Sequence, residues 1–195
     1  MPTFRSLTLI FDPLVTSRAG LLPALEALLD RPDAVAARAT RRWRLPACYE
    51  GAHAPDLADV ANACGLPPDE VVARHAGRDY TVYMLGFLPG FPFMGDVDDA
   101  LRRPRRPEPR VAVPAGSVAI ANGLTAIYPW QSPGGWHLLG HCPVPLFDTG
   151  ADAPALLAPG DRVRFQPVDA AEHARLTRAI AAGELRPETF LEDTP

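Results

Sequence analysis

Tyr80-Thr81-Val82-Tyr83-Met84-Leu85 runs directly into Gly86-Phe87-Leu88-Pro89-Gly90-Phe91-Pro92-Phe93-Met94-Gly95. The first six residues are β-branched and aromatic, suit a pleated surface, and predict a strand. The ten that follow hold too much glycine and proline for a core strand. They suit backbone that turns sharply and approaches another surface closely. The same composition returns in Val113-Pro114-Ala115-Gly116-Ser117-Val118 and in Tyr128-Pro129-Trp130-Gln131-Ser132-Pro133-Gly134-Gly135-Trp136. Aromatic side chains set among such turns supply pocket walls. The region from Tyr80 to Phe147 is therefore the part around which the chain is organised.

Working outward, Ser117–Ala121 and Leu124–Tyr128 flank Asn122-Gly123, a strong two-residue hairpin signal. Trp136–His141 and Asp161–Val168 read as further strands, and Ala170–Ala182 as a closing helix, with a loose tail after Glu184. Between Arg102 and Arg110, three prolines predict an extended segment rather than a helix. Upstream, Phe4–Phe11 reads as a strand with apolar residues on both faces, ended by Asp12-Pro13. A helix follows through Leu21–Leu29, with Pro23 in its first turn. Thr40–Leu45 reads as a strand, and its arginines (Arg41, Arg42, Arg44) as a solvated face. Helices are expected over Pro55–Cys64, closed by Gly65, and from Pro67 to about His75. The chain thus reads as α+β: residues 1–78 alternate strand and helix, and residues 79–195 hold many short strands that suit a closed or half-closed β-barrel.

Composition excludes several chemistries. None of the 19 basic residues is a lysine. A P-loop, a Schiff base and a biotin attachment site all need one. A net charge of −4 leaves no footprint for nucleic acid. No apolar run reaches membrane-spanning length, and no leader is visible at the start. Three cysteines without metal-type spacing (Cys48, Cys64, Cys142) suit a reducing compartment, so a cytoplasmic location is expected.

The chain resembles the family of the 5-oxoprolinase B subunit, allophanate hydrolase subunit 1 and KipI-like proteins. The resemblance rests on Gly86-Phe87 to Phe93, Pro104-Arg105, Pro109-Arg110, Val113 to Val118, Thr125 to Pro129 and Pro133 to Trp136. Cys48-Tyr49, Pro55-Asp56-Leu57, His75 and Gly160-Asp161 extend it to about three quarters of the chain. It implies a cyclophilin-like barrel behind a small α+β domain. Relatives carry another strand and helix ahead of the equivalent of Phe4, so either the chain's start is misplaced or its first domain is short, and in the second case an apolar strand is expected to lose its cover. The implied activity is ATP-dependent opening of 5-oxoproline to glutamate, with KipA-like (C-type) and A-type partner subunits. ATP, with Mg²⁺, would be bound by the assembled complex. Two other activities occur in the family: a carboxyltransferase half-module of the urea carboxylase type, and inhibition of sensor histidine kinases.

Candidate site residues follow from both lines. Arg105 and Arg110 each follow a proline, and a guanidinium on fixed backbone is a good bidentate partner for a carboxylate or phosphate. Pro89-Gly90-Phe91 and Pro133-Gly134-Gly135-Trp136 place bare backbone beside an aromatic ring, where turn amides can bind an anion. Phe87 and Pro114 join the expected pocket, and Ser117, Thr125, Tyr128 and Ser132 would add hydroxyls. No Gly-x-Ser-x-Gly elbow supports a serine nucleophile. His75, at a helix end, is a candidate base or a helix cap. His137 and His141 share a strand face but lack an evident third partner, so no metal is expected. The family more often has a glycine where this chain has Asp96 and a glutamine where it has Leu124.

Overall fold

Asn122 and Gly123 both take positive φ, 52° and 80°, and join two strands in the register that a type I′ turn sets. In the computed structural model, residues 6–30 and 40–192 are described. They fall into two compact units, Met1–Thr40 and Arg41–Pro195.

In the first unit, α1 spans Arg18–Leu29, capped by Ser17, whose Oγ accepts the Gly20 N–H at 3.3 Å. It starts three residues ahead of Leu21, so Pro23 lies beyond the first turn, where its ring cannot donate to the carbonyl four residues back. Of the strand expected over Phe4–Phe11, Phe4 and Arg5 lie outside the described residues. Residues 6–11 hold a single bridge, at Leu7, and Leu7, Leu9, Ile10 and Phe11 are exposed. A single bridge is not a ladder, so no strand is formed over the described residues 6–11.

The second unit contains β1 (Arg42–Cys48), α2 (Leu57–Cys64), α3 (Pro68–Ala76), β2 (Tyr80–Leu85), β3 (Pro92–Gly95) and β4 (Arg110–Val113). After these come β5 (Ser117–Ala121), β6 (Leu124–Ile127), β7 (Ser132–Gly134), β8 (His137–His141), β9 (Arg162–Val168), α4 (Ala170–Ala181) and β10 (Leu191–Glu192). Seven strands follow the order β1-β8-β5-β6-β3-β2-β9, and β9 returns to β1 in parallel register from Arg42↔Arg162 to Cys48↔Val168. The α+β barrel is therefore closed. β4 and β7 form a separate two-stranded sheet. The expected boundary near residue 78 falls between α3 and β2, inside this unit, because β1 pairs along its whole length with β9.

Alternation along the strands divides the apolar residues between two clusters. Val118 and Ile120 of β5, Ile127 of β6 and Leu139 of β8 join the main core with Trp43, Leu45 and Phe165. Their neighbours Ala119, Ala121, Leu124, Ala126 and Leu138 point the other way, into a second cluster with Phe91, Val113, Tyr128 and Trp136. Small alanines on that outer face let the β4–β7 sheet, through Val113, lie close against the barrel.

Two expectations change here. Arg41 is not merely solvated: its Nε and Nη2 fork onto the buried Asp161 at 3.1 and 2.5 Å, and its guanidinium lies over the Trp43 ring. The tail is ordered through residue 192, because β10 pairs with β1 (Trp43↔Leu191) and Glu192 accepts from Arg44 Nε at 2.6 Å. A ladder and an ion pair hold the segment up to residue 192 in place. Among the described residues, no helix is long and apolar enough to cross a membrane. All three cysteines are free.

Candidate functional site

Between the outer face of the barrel and the β4–β7 sheet lies a cleft of about 110 Å³. Its walls are aromatic: Phe87, Phe91, Phe93, Tyr128 and Trp136, with Pro133, Gly134 and Gly135 on one side and Arg105 at its edge. Phe91 is the hub, edge-on to Phe87, Tyr128 and Trp136 at centroid distances of 5.5, 5.1 and 6.1 Å, and 4.9 Å from Phe93. Such edge-to-face contacts fix the rings as well as burying them.

Glycine is needed at two points around this cleft. Gly90 has φ +77°, and a Cβ there would lie 2.8 Å from Phe147. A Cβ on Gly134 would overlap the Tyr128 hydroxyl. Gly134→Ala is therefore expected to displace Tyr128, cost about 1–3 kcal/mol by overpacking, and close the cleft. Denaturant melts and ligand binding on the variant check both effects. Phe87 also holds a positive φ, 69°, while its side chain remains exposed at the cleft rim. Bulky residues rarely adopt this conformation, and such strain concentrates at binding loops.

Arg105 is held by its neighbours. The Pro104 carbonyl accepts from His137 Nε2 at 2.9 Å, and the Arg106 N–H donates to the Gly135 carbonyl at 2.7 Å. The residue between them is thus set on the cleft edge, and among the described residues no carboxylate pairs with its guanidinium. Burial raises the pKa of the Tyr128 phenol, opposed by the charges of Arg105 and Arg110 and by a hydrogen bond from the Trp136 backbone. Tyr128 therefore stays a neutral O–H in a cleft with a positive edge.

Arg110 is engaged elsewhere. Its Nη2 donates to Asp56 Oδ1 at 2.5 Å, where Arg106 Nη1 also donates at 3.2 Å. Asp56 Oδ2 accepts the Leu138 N–H at 2.7 Å, and the Asp56 N–H donates to the Leu138 carbonyl. This buried carboxylate ties α2's entrance to β8 and to the arginine-rich segment. Arg110 Nη1, Arg106 Nε and Ser132 Oγ are buried without partners among the described residues.

His75 lies away from the cleft, fully buried and stacked on Phe165 at 4.8 Å. Thr125 donates its one hydroxyl proton to the Ala119 carbonyl, so its oxygen accepts from His75 Nε2 at 2.9 Å. His75 Nδ1 then accepts from Tyr49 O–H, also at 2.9 Å. Every polar atom of this chain of groups is used, and desolvation pushes the imidazole pKa down to about 3. Thr125 belongs to this buried chain, and Ser117 Oγ lies on the buried strand β5. Pro89 accepts the Trp130 indole N–H through its carbonyl at 3.2 Å. Neither these residues nor Pro114 line the cleft.

The linkage sign for His75 is fixed by its depressed value. Below the ordinary imidazole pKa of 6.5 the unfolded chain takes up a proton that the folded chain does not. The stability that His75 contributes is complete above pH 6.5 and is lost as pH falls toward 3, by about 1.4 kcal/mol per unit. Urea melts at pH 7 and pH 5 are expected to show about 2 kcal/mol more acid loss in the wild type than in His75→Gln. Equal losses in both proteins would contradict this.

Of the residues selected from sequence, the structure gathers Phe87, Phe91, Arg105, Tyr128, Gly134, Gly135 and Trp136 at one cleft. Sequence reasoning missed Phe93, although it lies in the opening stretch, and the anchoring role of Asp56. Two larger depressions, of about 350 and 250 Å³, have different linings. The larger carries Glu50, Asp69 and Asp169 and would repel an acid; the other carries no aromatic ring besides His137.

Residues 1–157 match the family of the carboxyltransferase domain, subdomain C and D. The chain is 52% identical over 128 residues to the 5-oxoprolinase B subunit of Escherichia coli O157:H7, a match covering 66% of this chain and 59% of that protein. The curated relatives it matches are covered over only 50–59% of their length. A conserved uncharacterized protein of Pyrococcus horikoshii has a similar structure, with TM-score 0.66 and 38% identity over 84% of this chain and 75% of its own. The urea carboxylase of Kluyveromyces lactis shares the fold at TM-score 0.66 and 20% identity, over 90% of this chain and 18% of its own. With the family match spanning most of its residues, this barrel with an aromatic cleft on its outer face belongs to the carboxyltransferase-domain family, subdomains C and D.

Proposed function

We propose that the chain is part of the B subunit of a 5-oxoprolinase, and that the aromatic cleft takes the 5-oxoproline ring with its carboxylate on Arg105. The observation that carries this reading is an arginine without a carboxylate partner among the described residues, fixed at the edge of a cleft with five aromatic walls. The ring's apolar methylenes suit those walls, and the carboxylate suits a bidentate guanidinium. Similarity to a protein named as the B subunit of 5-oxoprolinase supports the choice of substrate.

ATP does not fit this cleft. Its volume is well below the roughly 300–1,000 Å³ of pockets that enclose larger ligands, and among the described residues Arg105 is the only cation lining it. In this proposal ATP and Mg²⁺ are bound by the assembled complex, with a KipA-like C subunit and an A-type subunit supplying the remaining groups. The chain's part is to position the lactam, which is how binding energy lowers a barrier without a nucleophile of its own.

Co-expression with the KipA-like and A-type subunits, followed by an assay of glutamate formation, tests this. Glutamate is expected only with ATP and all three subunits together. ATP-independent cleavage, or cleavage at an enzymatic rate by this chain alone, would contradict it.

A further inference from the structure

Away from the aromatic cleft, three of the chain's five histidines meet. His53 closes a 3₁₀ turn (Gly51–His53), His141 ends β8, and His173 lies near the start of α4. Ring centroids are 4.2 Å apart for His53–His173, 4.9 Å for His141–His173 and 5.4 Å for His53–His141. One ring nitrogen from each lies within 4.8 Å of the others.

Hydrogen bonds fix which nitrogen of His141 is available. Its Nε2 lies 2.8 Å from the Ala115 carbonyl, which can only accept, so Nε2 carries the proton. The lone pair is then on Nδ1, which points at His173 Nε2, 2.8 Å away. A ligand imidazole whose second nitrogen donates to a backbone carbonyl is the usual support of a metal-bound histidine. Gly116 makes room for it: φ is +81°, and a Cβ there would lie 2.6 Å from His141 Nε2.

We propose that His53, His141 and His173 form a binding site for a first-row divalent cation of the Zn²⁺ class, with the remaining coordination position open to solvent. Three imidazoles from separate elements are the donor set such ions prefer over Mg²⁺ or Ca²⁺, which take oxygen ligands. At Zn–N distances of about 2.0–2.1 Å, three nitrogens stand about 3.3–3.5 Å apart in a tetrahedral site. Binding opens the 2.8 Å His141–His173 pair and draws the three nitrogens, now within 4.8 Å of one another, to that spacing. The ion replaces the His141–His173 hydrogen bond, and His173 shifts its proton from Nε2 to Nδ1, so no net charge is lost from the ring. Burial lowers both His141 and His173 from the ordinary imidazole range, helped by His53 at the first and by His141 and His53 at the second. His53 and His141 are only partly buried, which leaves the ion reachable from water.

The test is isothermal titration of the untagged full chain, stripped of metal, with Zn²⁺ alone at pH 7.5. One equivalent is expected to bind, and to raise the melting temperature. His53→Ala and His141→Gln are each expected to weaken binding at least tenfold and to abolish the thermal shift. His137→Ala, which leaves the three ligands in place, is expected to bind as the wild type does. Circular dichroism on each variant checks that it is folded, and His53, on a three-residue surface turn, is the substitution least able to disturb the barrel. Absence of stoichiometric binding, or unchanged affinity in folded His53→Ala, would overturn the proposal.

Discussion

Replacing Arg105 with alanine is expected to lower kcat/KM for 5-oxoproline in the assembled enzyme by roughly 10- to 150-fold, the equivalent of about 1.5–3 kcal/mol for a hydrogen bond to a charged group. The guanidinium stands at the edge of the cleft on backbone fixed by His137 and Gly135, and among the described residues no carboxylate competes for it. Arg105→Lys keeps the charge but loses the planar fork, so it is expected to recover only part of the loss. Steady-state kinetics on the two variants, with melts to confirm folding, decide the matter. Wild-type kcat/KM in Arg105→Ala would remove this residue from the site.

Asp56→Ala is expected to be the most damaging single substitution outside the main core. The carboxylate is 2% exposed and accepts from Arg106, Arg110 and the Leu138 N–H. Removing it strands two half-buried guanidinium groups and a buried backbone donor, and breaking a buried pair from one side costs about 3–5 kcal/mol. Asp56→Asn can still accept one hydrogen bond, and is expected to lose less. Because the same carboxylate tethers the segment carrying Arg105, both variants are also expected to raise KM. Denaturant midpoints show the first effect and kinetics the second. A loss below about 1 kcal/mol in Asp56→Ala would contradict this role, since that is the range of an exposed pair.

Much of the barrel was legible because its signals are local. Asn122-Gly123 defines a hairpin through backbone conformations that few other residue pairs adopt, and β5 and β6 lie on either side of it. The aromatic–glycine stretches were legible as a cleft for the same reason. What the sequence did not show depends on long-range pairing. That β1 closes the barrel against β9 follows from a parallel ladder between segments over a hundred residues apart, and no periodicity within Arg42–Cys48 specifies its partner. His75 reads identically as a base, a cap or a core residue until Tyr49, Thr125 and Phe165 surround it. Arg105 and Arg110 follow the same Pro-Arg pattern, yet only Asp56, brought in from the start of α2, separates their roles. His53 and His173 carry no spacing signal, since the three-histidine cluster is made by the fold alone.

Binding of 5-oxoproline in the aromatic cleft is measured most directly by titrating the ¹⁵N-labelled chain with 5-oxoproline and following amide and indole resonances. Saturable shifts are expected at Gly134, Gly135 and Trp136 and at the backbone around Phe91, all lost in Arg105→Ala. Weaker shifts are expected with the amide of 5-oxoproline, which keeps the ring and lacks the carboxylate charge. Saturable shifts confined to the acidic depression around Glu50 and Asp169, or cleft shifts unchanged by Arg105→Ala, would contradict the proposed placement of the ligand.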